Sequence, residues 1–95
     1  MKHIWSEADV KCGIYVCYPM KKFNPNSCAM RLYKIGFAGG RSKGVVLIAM
    51  SDGLVCSKKT PKQMAEHLTE RSLMPAPHKW VIKTIEHMRD WYTQN

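Results

Sequence analysis

Val45-Val46-Leu47-Ile48-Ala49-Met50, followed by Ser51-Asp52-Gly53-Leu54-Val55, is the stretch whose reading decides the fold. Six apolar residues in a row, three of them β-branched (Val45, Val46 and Ile48), read as a central strand covered on both faces. Asp52-Gly53 supplies the positive φ that a two-residue type I′ turn needs at both positions. Residues 45–51 and 54–57 therefore read as a hairpin. Just downstream the character changes. Thr60-Pro61-Lys62-Gln63 offers an N-cap hydroxyl, a proline at the first helical position and a glutamine at the third. Met64, Ala65 and Leu68 form the inward stripe of a helix that ends near Ser72.

Upstream, the even positions Val10, Cys12, Ile14, Val16 and Tyr18 are apolar or aromatic and alternate with Lys11, Gly13, Tyr15 and Cys17. That period predicts a half-buried strand over 10–18, with Trp5 as an anchor before it. Pro19 and the run Lys21-Lys22-Phe23-Asn24-Pro25-Asn26 read as a loop. Ala29 to Phe37 reads as a second strand, and Gly36, Gly39, Gly40 and Gly44 bracket a basic connection holding Arg41 and Lys43. Downstream, Leu73 to Pro77 is a proline-punctuated link. A second helix is expected over about 78–92, with Val81, Ile85, Met88 and Tyr92 on one face and Lys79, Lys83, Glu86 and Arg89 on the other. Strands first and helices last imply an α+β fold. The expected architecture is a small curved antiparallel sheet of three to four strands followed by two C-terminal helices. It forms one domain over 1–95, with a strand-rich basic half (1–58) and a helical half (59–95).

The chain has 95 residues, too few for a second core. Its longest apolar run, Val45 to Met50, is far too short to cross a bilayer, and Glu7 and Asp9 interrupt any signal peptide, so the chain reads as cytoplasmic with no membrane partner. Cys12, Cys17, Cys28 and Cys56 contain no Cys-x-x-Cys, and the offset of Cys12 from Cys17 points them to opposite faces of a strand. Buried free thiols are expected in preference to zinc, and no cofactor is implied.

Charge is the second strong signal. Between Val10 and Ser51 stand Lys11, Lys21, Lys22, Arg31, Lys34, Arg41 and Lys43 with no Asp or Glu, which supplies most of the net charge of +8. A one-sign field of this kind favours an anionic partner: nucleic acid, a nucleotide or an acidic protein surface. The candidate partner- or nucleic-acid-binding residues are Lys21, Lys22, Arg31, Tyr33, Lys34, Arg41 and Lys43. Lys21, Lys22, Arg41 and Lys43 belong to two loops, and a binding edge results if those loops meet at one end of the sheet. Tyr15, Tyr33, Arg31 and Lys34 could line one face, as a stacking surface for a single strand or for metal-free RNA cleavage.

No catalytic motif is present. Gly36–Gly44 lacks the Gly-Lys-Ser/Thr ending of a phosphate-binding loop, and a strand follows it where a helix is needed. His3, His67, His78 and His87 are scattered, with His67 and His87 expected in solvent or at a helix seam. Asp52 is explained by its turn, and there is no carboxylate pair or cluster for hydrolytic chemistry. Trp80 and Trp91 read as packing residues.

Several short matches, in order, resemble a group of small proteins encoded by enterobacterial phages and prophages. They are Trp5-Ser6-Glu7-x-Asp9 leading into Lys11-x-Gly13, then Ile35-Gly36-Phe37, Ser51-Asp52-Gly53-Leu54-Val55, Thr60-x-x-x-Met64-Ala65-x-x-Leu68 and Met74-Pro75. The match covers roughly residues 4–75, and it implies a genetic setting and no activity. The chain departs from the pattern in its cysteines, its Lys21-Lys22 loop and its last helix. Asp9-Val10-Lys11-x-Gly13-x-x-Val16 is also similar to the first strand of SH3-like barrels, including the MazF-type toxins. The expected function is a phage-type, non-enzymatic protein that binds and inhibits a host factor, such as a defence nuclease complex, in an anti-CRISPR-like role. A host protein or protein–nucleic-acid complex would be its partner, with direct DNA or RNA contact. Its basic charge excludes imitation of DNA. The alternatives are a basic nucleic-acid-binding regulator and a toxin-like ribonuclease.

Overall fold

The computed structural model describes residues 3–39 and 43–93, with side chains described up to residue 90. Its elements are strands β1 (Tyr15–Cys17), β2 (Leu32–Ala38), β3 (Gly44–Ala49) and β4 (Met74–Pro75), and helices α1 (Pro25–Ala29), α2 (Pro61–Glu70) and α3 (His78–Thr93). A single 3-10 turn at Glu7–Asp9 precedes them. The strands form one antiparallel sheet in the order β3-β2-β1-β4. The fold is therefore α+β with two C-terminal helices, as the order of sequence patterns predicts.

The hydrophobic core is divided by the sheet. On one face α2 packs Met64, Ala65 and Leu68 against Val16, Ile35, Val45 and Leu47, with Trp5 and Val10 closing the side. On the other face α1 and α3 bring Cys28 and Val81 onto Cys17 and Leu32, with Phe23, Trp80 and Met74 around them. Val16 and Cys17 are adjacent in β1 and both fully buried, one in each core. That overturns the half-buried strand expected over 10–18. Regular pairing starts only at Tyr15, because Gly13 takes a positive φ of 91° in a turn and its N–H donates to Ile35 O at 2.7 Å.

Four further expectations are corrected. The expected loop after Pro19 contains α1: Asn24 Oδ1 caps it by accepting the N–H groups of Asn26 (2.9 Å) and Ser27 (3.3 Å), and Pro25 sits in its first turn. The hairpin after β3 is real but its turn is not type I′, since only Gly53 has a positive φ. Ala49 N–H donates to Leu54 O and Gly53 N–H to Ala49 O, so four residues form the loop. β3 is not a central strand, for its outer neighbour is an irregular segment bridged at Val45↔Lys59 and Ile48↔Val55. The register slips by one residue between those bridges, which is how a bulge blunts a sheet edge. Finally, the link 73–77 supplies β4, which pairs with β1 at Cys17↔Met74 and Val16↔Pro75.

α2 begins with the expected capping box: Gln63 N–H donates to Thr60 Oγ1 at 3.1 Å and Thr60 N–H to Gln63 Oε1 at 3.0 Å. It ends at Glu70 with Arg71 as its C-cap; just beyond, Ser72 is a non-glycine residue with φ of 59°, and Leu73 N–H returns to Leu68 O. Trp5 Nε1 donates to Leu73 O at 2.8 Å and so staples the N-terminal segment to this junction. α3 buries Val81, Thr84 and Met88, whereas Ile85, expected on that face, is exposed. None of the helices is long and apolar enough to cross a membrane among the described residues.

Candidate functional site

In a run of antiparallel strands, successive connections must alternate between the two ends of the sheet. The β1–β2 connection holding Lys21, Lys22 and α1 lies at one end, and the β2–β3 connection holding Lys43 lies at the other. The basic loops therefore do not converge on one binding edge. Arg41 lies outside the described residues. Arg31 is exposed in the turn just before β2, not within a strand. Tyr15 and Lys34 share one face, where the Lys34 ammonium stands 5.5 Å from the Tyr15 ring centroid. Tyr33 sits on the opposite face, so Tyr15, Tyr33 and Lys34 do not line one surface.

What the topology does bring together is found at the Lys21-Lys22 end, on the α2 face. A cavity of about 490 Å³ opens there between the sheet, the C-terminal part of α2 and the loop after β3. Tyr18, at the end of β1, and Tyr33, in β2, meet in it edge to face, with ring centroids 6.0 Å apart and planes at 77°. Leu47, Ala49 and Leu73 form its apolar lining from within. Met30, Leu54 and Val55 stand at its rim with 65%, 69% and 57% of their surfaces exposed. Polar groups reach it from three sides: Ser51 and Asp52 from the turn, Cys56 from the irregular segment, and His67 and Arg71 from α2.

Each polar group is placed by local structure. Asp52 accepts Leu54 N–H at 3.0 Å, which fixes its carboxylate over the turn. Cys56 Sγ accepts Leu47 N–H at 3.1 Å and is held against β3. His67 and Arg71 are four residues apart and so share one flank of α2 beside the buried Leu68. Burial raises the Tyr33 hydroxyl above its ordinary pKa; Tyr18 and Asp52 add to the shift and Arg71 opposes it. Burial lowers the His67 imidazole, and the positive charges of Lys59 and Arg71 lower it further against Glu70. The cavity thus brings together two tyrosine rings, an imidazole biased toward its neutral form, and the Asp52 and Arg71 side chains.

Elsewhere the chemistry is sparser. An apolar recess of about 300 Å³ between Met50, Ile85, Met88 and Arg89 has only the guanidinium to orient a ligand. Cys17 and Cys28 are buried thiols, and burial with the nearby Cys28 pushes Cys17 up to about 11. His87 Nε2 lies 3.3 Å from Asn26 Oδ1 in an exposed contact between α3 and α1, a helix where the sequence pattern predicts a loop. Among the described residues no group of three or more His, Cys, Asp or Glu could hold a metal ion.

Of the sequence candidates, Tyr33 lines the cavity, and Lys21, Lys22 and Arg31 lie at its end of the sheet; Lys34 and Lys43 do not. Tyr18, Asp52, His67 and Arg71 were not among them. The spacing of His67 and Arg71 on a helix with a clear buried stripe is the signal that could have found those two. No protein-family model, no curated protein and no solved structure matches this chain.

Proposed function

We propose that this chain is a non-enzymatic binding protein, a phage-type accessory factor, that inhibits a host factor by covering part of its surface. The observation that supports this reading is the rim of the tyrosine-lined cavity. Met30, Leu54 and Val55 are more than half exposed there, next to Tyr18, Tyr33 and Arg71. Tyr, Met and Arg are the residue types enriched where proteins bury a contact, with aromatic and Arg side chains carrying most of the binding energy. Leaving such apolar side chains in water has no benefit for folding.

The charge of +8 narrows the partner to an acidic protein patch or a protein holding nucleic acid. Basic groups around the rim would steer encounter, and the apolar rim would set the lifetime of the complex. The test is capture from host-cell extract by the tagged chain, with and without nuclease, beside a Leu54→Asp variant. One host protein should be retained in both nuclease arms and released by Leu54→Asp. Equal retention by the variant removes the cavity face from the interaction.

A second reading is direct nucleic-acid binding, favoured by Lys21, Lys22 and Arg31 standing at the same end of the sheet as Tyr18 and Tyr33. Several phosphate contacts would make binding fall steeply between ~50 and ~200 mM salt. Failure to retard any DNA or RNA at low salt excludes it.

A further inference from the structure

We infer that the tyrosine-lined cavity is a single-nucleotide site, taking one unstacked base with its phosphate. The inference rests on the reading above only in needing an anionic partner. A volume of about 490 Å³ is within the size range of small-ligand sites, and the cavity has their anatomy: apolar walls and a few convergent polar groups. The tyrosines come first. Tyr18 and Tyr33 already pack edge to face with each other, and both remain only half-buried. Such an aromatic corner offers a surface against which any base can stack, while Leu47, Leu54 and Leu73 supply apolar contact.

The polar groups then choose the class of ligand. Asp52 uses one oxygen on Leu54 N–H, and a carboxylate has capacity for further donors. It suits the exocyclic amino group of a base, and it would repel an unsubstituted aromatic anion. Arg71 offers the complementary charge. Its side chain makes no hydrogen bond or ion pair among the described residues, and a guanidinium matches a phosphate with two parallel donors. One ligand that carries an amino donor at one end and a dianion at the other satisfies both. The C-terminal end of α2 lies behind Arg71 and carries partial negative charge, so the phosphate depends on this one side chain.

The basic end of the sheet gives the site a context. Lys21, Lys22 and Arg31 stand at the same end of the sheet and add positive potential there, with Met20 and Phe23 beside the two lysines packed on the opposite core.

The experiment is a titration of isotope-labelled protein, followed by NMR, with cytidine 5′-monophosphate, uridine 5′-monophosphate, cytidine and inorganic phosphate. Cytidine monophosphate should shift the signals of Tyr18, Tyr33, Leu54 and Arg71. Cytidine, and cytidine monophosphate with the Arg71→Gln variant, should each bind about tenfold more weakly. Asp52→Asn retains an acceptor for the turn and should abolish preference for cytidine over uridine monophosphate. Inorganic phosphate should leave both tyrosines unmoved. Absence of shifts at about 10 mM nucleotide, or shifts that ignore Arg71→Gln, overturns the inference. Absent nucleotide shifts together with host-protein capture that is lost with Leu54→Asp overturn the inference and leave the inhibitor reading standing.

Discussion

Thr84 lies in the middle of α3 with none of its surface exposed, and its hydroxyl has no hydrogen-bond partner among the described residues. A buried hydroxyl without a partner costs about 1–3 kcal/mol. Thr84→Val keeps the shape and removes the polar atom, so chemical denaturation should show a gain of about 1 kcal/mol. Ser72 is a second site where a single side chain opposes the fold, because it holds a left-handed φ of 59° at the end of α2. Ser72→Gly relieves that strain and should stabilise by about 0.5–1 kcal/mol in the same assay. His67 is a third, and its effect depends on pH. Its folded pKa is lowered by burial and by Lys59 and Arg71, so the unfolded chain binds the proton more tightly. The stability due to the neutral imidazole is present above the unfolded value of about 6.5 and is lost as pH falls through the folded pKa. A His67→Gln variant should therefore show a shallower loss of stability on acidification below that value. Equal pH dependence in the two proteins would rule the effect out.

At the scale of elements, the outer edge of β3 is held by one close approach. A Cβ on Gly44 would stand 2.6 Å from Lys58 Cγ and 2.8 Å from the carbonyl oxygen of Lys59. The second neighbour is backbone, and Val45 and Lys59 exchange hydrogen bonds of 2.8 and 2.9 Å beside it. Gly36 is crowded only by the tip of Ile48, whose Cδ1 can rotate away from 2.8 Å. Gly44→Ala should thus cost about 1–3 kcal/mol and Gly36→Ala distinctly less, an order that denaturation of the two variants checks. The same elements show what sequence could reveal. Thr60 to Leu68 specified α2 because capping and periodicity agree there. The fold class followed from the change of character at Thr60. The segments missed were those whose structure depends on distant partners. Met74-Pro75 becomes a strand only because β1 has an open edge, and residues 55–59 pair with β3 through a bulge that no period reveals. The cavity shares that origin, since Tyr18, Asp52 and Arg71 come from three elements that meet only once α2 has crossed the sheet. The alternation of antiparallel connections, however, was legible in principle, and it alone separates Lys22 from Lys43.

For the whole molecule, the question is whether two cores on opposite faces of one sheet unfold as one. Total stability for a chain of this length is expected to be about 5–14 kcal/mol. Leu68 is fully buried in the α2 core, and Leu68→Ala should remove about 3 kcal/mol of that and lower the melting temperature by about 12–24 °C. Val81 belongs to the other core, and Val81→Ala should cost about 1–2 kcal/mol. The cores share strands residue by residue: Val16 points into one and Cys17 into the other, and Leu32 and Ile35 divide β2 in the same way. Loss of either core therefore removes the support of strands the other needs. Both variants should melt in one transition followed identically by tryptophan fluorescence and circular dichroism, with Trp5 reporting on the α2 core and Trp80 on the other. Two transitions in Val81→Ala would mean that α1 and α3 dock onto a sheet already stable with α2 alone. Leu54, 69% exposed at the cavity rim, lies outside both cores, so Leu54→Asp should melt within a few degrees of the parent chain. A loss of partner binding in that variant then reports on the surface and not on the fold.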